Sequence, residues 1–451
     1  MSAPTREPRT GDGPAATPVR RGRWLSDWDP EDHVSWEGGG RRVARRNLVA
    51  SISCEFLGFC VWALWSVVVP QLPAAGFSLT VDQQFWLIAL PALVGAALRI
   101  PYTFAVPLFG GRTWTVISAL LLLLPVAALT WVVGRPETSF GVLLAVAALA
   151  GLGGGNFASS MTNITFFFPE REKGRALGIN AAGGNLGTGI VQLAVPAIIT
   201  IGAGVQLQRI GLVLVPLILV AAVLAWRLMD NLASVRADYR SFALAAAHRH
   251  TWIISFLYVG TFGSFIGYSG AFPTLLKTQF AGANPALAFL GALIGALSRP
   301  LGGMLADRLG GARVTIASFG LLTLGAVGAL VALDQQSFVL FFTSFMVLFL
   351  GTGLGNGATY RMIPAVFRAT ALSRGADVVA ARKAAAGCLG IAGAVGAFGG
   401  FLIPRGFAMS TTATGSIATA IVCFLVAYLV MAALTWAVYR RPGSALAGES
   451  I

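Results

Sequence analysis

"ALVGAALR", residues 92–99, returns as "ALIGALSR", residues 292–299. "GLGGGNFAS" at 151–159 returns at the same offset as "GTGLGNGAT" at 351–359. Chance can supply one apolar match, but two at a common spacing, each centred on a polar residue, mark an internal repeat. Arg99 is thereby matched with Arg299, and Asn156 with Asn356.

The rest of the chain has the composition of a lipid-embedded protein. Of 451 residues 56% are apolar and 11% are charged, with a mean hydropathy of +0.75. Soluble domains carry about a quarter charged residues. Runs of about 20 apolar residues are the transmembrane signal. Twelve are read near 47–69, 83–109, 113–133, 140–165, 176–201, 207–228, 251–276, 285–306, 313–333, 338–362, 384–408 and 414–438. The predicted organisation is a tail (1–46), a six-helix half (47–228), a linker (229–250), a second six-helix half (251–438) and a tail (439–451). The first tail carries nine arginines, lacks a core of its own, and has a stretch, "DWDPEDHVSW", able to dock on the membrane domain.

Charge fixes the expected orientation. The tail, "PEREKGR", the linker, "DRLGGAR", "FRATALSRGADVVAARK" and "RRPG" are basic, while the alternate loops hold only Arg135, Arg209, Lys277 and Arg405. Both termini are therefore expected in the cytoplasm, with the chain in the inner membrane. The net charge of +14 is spread over these loops rather than along one face, which argues against nucleic acid. The four cysteines form no CxxC pair and fall in apolar runs, as packing thiols do. There is no metal-ligand cluster, nucleophile–base pair or phosphate loop, so neither enzyme activity nor a cofactor or metal is expected. Two parallel halves of six spans are the architecture of an all-α rocking transporter.

The arginines point to the cargo. Arg99 and Arg299 each lie about 14 residues into a span, about 20 Å deep at 1.5 Å per residue, past the middle of a core about 30 Å thick. A charge there costs a few kcal/mol or more and faces a polar cavity or a partner. One such arginine can be structural, bonding carbonyls; two at one depth make that reading weaker. Of eighteen Asp and Glu, only Glu55 falls well inside a span. The missing partner is most simply a transported anion, and the guanidinium fork suits a small flat oxyanion. Asn156, Asn163, Asn180, Asn185 and Asn356 are candidate polar contacts, because an amide facing lipid is costly.

"GGMLADRLGGAR" (302–313) resembles the loop motif of the major facilitator superfamily, where Asp307 and Arg308 would serve a gate latch. The equivalent "PLFGGRTW" (107–114) has lost the Asp. "GGGNFASSMTNITFFFP", "ALGINAAGGNLG" and "GCLGIAGAVGAFGGFLIP" resemble the paired signatures of the nitrate/nitrite porter (NarK-type) family. "ALRIPYTFAVPLFGGRTW" and "TFGSFIGYSGAFPTLLKTQF" are also similar to it. The resemblance implies the major facilitator fold, transport of nitrate and nitrite, and a monomer in the bilayer. It implies that Arg99 and Arg299 grip the anion, that Tyr258 and Asn185 contact it, and that Phe157 and Phe262 sandwich it.

The tail with "SISCEFLGFCVWALWS" (51–66) resembles the branch described as nitrate/proton symporters. Arginine does not titrate, and His33, His248 and His250 fall outside the predicted spans, so Glu55 is the proton-coupling candidate. Glu55 also reads as a structural partner of either arginine or as a vestibule residue. Nitrate/nitrite antiport stays open as the alternative coupling. Transport of another small anion, or an anion channel, are the further alternatives.

Overall fold

The computed structural model describes residues 20–451 except 22, 203, 374, 376, 443–445 and 447–450; the start of the predicted tail (1–19) lies outside the described residues. Eleven helices are long and apolar enough to cross a membrane, twelve when a bent first pair counts as one span. That pair, His33–Trp62 and Leu64–Ala75, bends by 43°. Spans 2 to 6 are Val81–Phe109, Gly111–Val132, Phe140–Phe167, Glu170–Ile199 and Arg209–Leu228. Spans 7 to 12 are Arg249–Gln279, Pro285–Leu309, Gly311–Asp334, Phe338–Ser373, Val378–Thr414 and Ala418–Tyr439.

Several helices outrun their apolar runs. Span 10 continues to Ser373 and span 11 begins at Val378, so most of the basic stretch read as a loop is helical. Its Ala, Arg and Leu are good helix formers, and hydropathy measures the lipid rather than the helix. Span 7 likewise starts at Arg249, which corrects one expectation: His250 is not outside the spans but buried in the first turn of span 7, 3.1 Å from the Tyr439 hydroxyl.

The repeat is visible in the backbone. Gly110 and Gly310 link spans 2–3 and 8–9 with φ of 87° and 92°, a left-handed region where a side chain is strained. Each turn is sealed by the segment that follows the sixth helix of its own half. Asn231 bonds Thr113 at the first turn, and the Ile451 carbonyl accepts from the Ala312 N–H, 3.0 Å, at the second.

The end of the bundle that carries the linker is also covered by the N-terminal segment. Trp24–Leu25 pairs in parallel with Asn231–Leu232. Trp28 donates to the Phe166 carbonyl, buried Trp36 donates to Glu172, and Glu31 accepts from the Glu170 N–H at the start of span 5. Beneath them the buried Asp230 carboxylate meets Arg46 (2.5 Å), Arg23 (3.7 Å) and Asn47 (3.2 Å). In the linker, Asp238 caps the helix Tyr239–Ala246, and bonds from Ser241 hold its carboxyl below the usual carboxylate range.

Contacts between the halves run from the centre to the opposite end. Lys277 reaches the Pro70 carbonyl, Gln192 donates to the Ser269 carbonyl at 2.7 Å, and Arg405 pairs with Asp82 at 2.9 Å. At the linker end the bridge is the linker helix, where Phe104 of span 2 lies against Tyr239 and Phe242, at 4.6 and 4.8 Å.

Candidate functional site

Arg99 and Arg299 reach the middle of the bundle from spans 2 and 8, one from each half. Small residues bring the neighbouring backbones close enough to hold them. A Cβ on Gly154 would stand 2.8 Å from the Gly95 Cα, and one on Gly357 only 2.1 Å from the Arg299 carbonyl oxygen. Those approaches seat spans 4 and 10 against spans 2 and 8, as small residues do in membrane packing.

Both arginines are buried, at 1% and 5% exposure. The Arg99 guanidinium lies over the Phe157 ring at 4.5 Å, the Phe262 ring at 4.7 Å and the Trp62 ring at 5.5 Å. Arg299 lies 5.5 Å from Phe157, 6.0 Å from Phe262 and 5.6 Å from Tyr360. Each such contact is worth about 0.5–2 kcal/mol, which offsets part of the burial cost. Arg99 Nη1 donates to the Gly393 carbonyl of span 11 at 2.8 Å. Its Nε and Nη2, and Nη1 of Arg299, have no hydrogen-bond partner among the described residues, and no carboxylate there pairs with either guanidinium.

A five-residue π-helical turn, Val259–Gly263, interrupts span 7. Such bulges re-aim side chains and cluster at functional sites. Here Tyr258 stacks on Phe262, 5.2 Å between centroids, and donates its hydroxyl to Asn356 Oδ1 at 2.7 Å. Arg299 Nη2 stands 3.5 Å from the same hydroxyl. Phe157 and Phe262 face each other at 6.0 Å with 26° between planes. A flat anion between two rings needs about 7 Å, twice a contact of about 3.5 Å, so the rings must part to sandwich one.

The five asparagines divide. Asn356 joins Tyr258 and the arginine pair. Asn156, its repeat partner, instead packs on Gly58 of span 1. Asn185 is fully buried on span 5 with both amide atoms unpaired among the described residues. Asn163 sits against Gly111 at the turn after span 2, away from the arginines. Asn180 donates to Glu55 Oε2 (2.6 Å) and lies 2.7 Å from the Ser160 hydroxyl, which meets Ser51 at 2.8 Å. Glu55 Oε1 has no hydrogen-bond partner there. Asp307 pairs with Arg361 of its own half, and Arg308 is exposed beside it. Trp62, Tyr360 and the Gly393 carbonyl belong to the site and escaped the sequence reading. Tyr360 lies four residues beyond Asn356, on the same helix face, and that spacing was the available signal.

The sequence profile of the Major Facilitator Superfamily matches residues 54–390. Nitrate/nitrite transporter NarU of Escherichia coli is 43% identical over 92% of this chain and 96% of its own length. NarU of Salmonella typhimurium is 45% identical over the same shares. The chain belongs to the nitrate/nitrite porter family of the major facilitator superfamily. The probable nitrate/nitrite antiporter NarK2 of Thermus thermophilus is 35% identical over 94% of this porter and 98% of its own length. Among solved structures, the porter's fold matches a D-xylose-proton symporter with a TM-score of 0.65 at 16% identity, covering 86% of this chain and 96% of that one. A bacterial homologue of the human lysosomal transporter Spinster matches at 0.64 and 16%, covering 86% and 95%.

Proposed function

We propose that this porter carries nitrate, and nitrite, across the inner membrane by alternating access of its two halves, with Arg99 and Arg299 as the anion clamp. One observation carries the reading: two buried guanidiniums, one per half, keep unpaired N–H donors and form no direct ion pair with a carboxylate among the described residues, where Glu55 reaches them only through its field. A flat monovalent oxyanion satisfies forked donors from opposite sides. Tyr258 and Asn356 supply further polar contact, Phe157 and Phe262 supply ring faces, and Asn185 supplies a buried amide. Both ends of the chain lie in the cytoplasm, on the side of the basic loops.

The coupling reading is nitrate/proton symport. Glu55 is buried beside Asn180 and Ser160, and one of its carboxylate oxygens has no hydrogen-bond partner among the described residues. A carboxyl in that setting can take up and release the proton that arginine cannot. Nitrate/nitrite antiport is the second reading. It is favoured by the fixed charge of the clamp, which is +2 when empty and +1 when filled, so that an empty site resists closure.

Uptake of labelled nitrate into proteoliposomes separates the two. Symport predicts uptake driven by an outward-alkaline gradient's reverse, acid outside and alkaline inside, with no internal anion required. Antiport predicts uptake only with nitrite inside, unchanged by the gradient. Absence of uptake in both conditions overturns the transport reading.

A further inference from the structure

Arg405 and Asp82 form the one ion pair that joins the two halves among the described residues, with 2.9 Å between Nη2 and Oδ1. Asp82 stands in the first turn of span 2, and Arg405 on span 11, at the end of the bundle away from the linker. A second guanidinium nitrogen, Nη1, points at the Asp82 backbone carbonyl, 3.4 Å. The guanidinium lies 4.1 Å from the Trp86 ring, which in turn packs on Phe401 at 5.8 Å. The mouth thus repeats one element of the central pair, a planar cation against an aromatic face, and adds a carboxylate that takes one nitrogen of the fork through one oxygen.

The two facing helices carry this unit in line with the clamp. Along span 2 the order is Asp82, Trp86, Ala92, Arg99, and along span 11 the reverse order is Arg405, Phe401, Gly400, Gly393. Between the two levels lies a small cavity of about 30 Å³, lined by Trp62, Ser66, Thr188, Ser269, Ala92 and Gly400 from both halves. The Ser269 hydroxyl is buried there with no partner among the described residues. Trp62 is common to both levels, since it lines the cavity and also faces Arg99 at 5.5 Å.

We propose that Arg405 is an entry site for the planar monovalent oxyanion, and that the Asp82 carboxylate is its internal stand-in. The inference rests on the transport reading and deepens it. When the halves part at this end, Arg405 leaves Asp82 and offers its fork to an anion from that face. Once the anion has passed inward between the parted halves, the carboxylate takes the fork back and the mouth closes. Asp82 is a half-exposed partner, with 40% of its side chain accessible, so the exchange is one weak pair for another. The same carboxylate competes with the arriving anion, which distinguishes this arrangement from a structural tie.

The test is nitrate half-saturation for exchange, measured from each face in right-side-out and inside-out vesicles, with the opposite face saturated. Arg405→Gln is expected to raise half-saturation at the Arg405 face at least fivefold and to leave the linker-end face within twofold. Arg405→Lys, which keeps the charge and loses the fork, falls between Gln and wild type. Asp82→Asn removes the competitor and lowers half-saturation at the Arg405 face. Equal shifts at both faces, no shift at either, or a rise with Asp82→Asn overturns the entry site. Wild-type vesicles that exchange no nitrate would instead overturn the transport reading itself.

Discussion

Arg99 of the first half donates across the bundle to the backbone carbonyl of Gly393 in the second half, at 2.8 Å. One guanidinium thus belongs to both halves, and its Nε and Nη2 have no hydrogen-bond partner among the described residues. A carbonyl is a neutral acceptor. An anion offered to the same fork makes a stronger, charge-assisted bond.

Arg99→Lys and Arg299→Lys therefore keep the charge but lose the planar fork. Each is expected to remove one or two charge-assisted bonds of about 1.5–3 kcal/mol, weakening nitrate binding roughly a hundredfold. Calorimetric titration of the purified variants checks this. Binding within a factor of three of wild type would contradict the clamp.

Glu55→Gln keeps the shape that accepts the Asn180 amide and abolishes titration. With Glu55 as the proton carrier, wild-type uptake rises as the outer pH falls, because protonation at that face loads the site. The variant is expected to lose this pH response and the stimulation by a proton gradient, while exchange of nitrate for nitrite persists. Uptake against outer pH in proteoliposomes reads the difference. An unchanged pH profile rules out Glu55 as the carrier.

Asp230→Ala leaves Arg46, Arg23 and Asn47 without their shared carboxylate. Breaking a buried pair costs about 3–5 kcal/mol, and partial exposure of both arginines brings the expected loss to the lower end. Thermal unfolding followed by loss of monodisperse protein should show a lowered midpoint, with nitrate affinity unaltered in the folded fraction. An unchanged midpoint would show that the cluster does not bear on stability.

The two arginines and the repeat were readable because each depends on a pattern within one stretch of chain. Charge in an apolar run, seen twice at one offset, needs no tertiary knowledge. Trp62 and Tyr360 were not readable in this way. An aromatic in an apolar span looks the same whether it faces a guanidinium or a leucine, and only the packing of spans 1 and 10 tells them apart. Asn156 and Asn356 show the converse. The repeat equates them, yet Tyr258 is there to meet Asn356 while Gly58 lies against Asn156. Asp230 read as a linker acid because its partners come from residues 23, 46 and 47, far earlier in the chain. The helical ends of spans 10 and 11 were missed for a different reason, since residues outside lipid still coil when their propensities favour it.

The turns at Gly110 and Gly310 have a mechanical meaning. Each is fastened by chain that has already travelled through its own six helices, Asn231 in one half and Ile451 in the other. A loop fastened this way ties the second and third helices to whatever follows the sixth, so the bundle is hooped rather than strung. On the proposed reading, force applied at the arginine pair turns a whole half as one lever. The give then falls to the contacts between levers and to the breaks in spans 1 and 7, which lie where the halves meet.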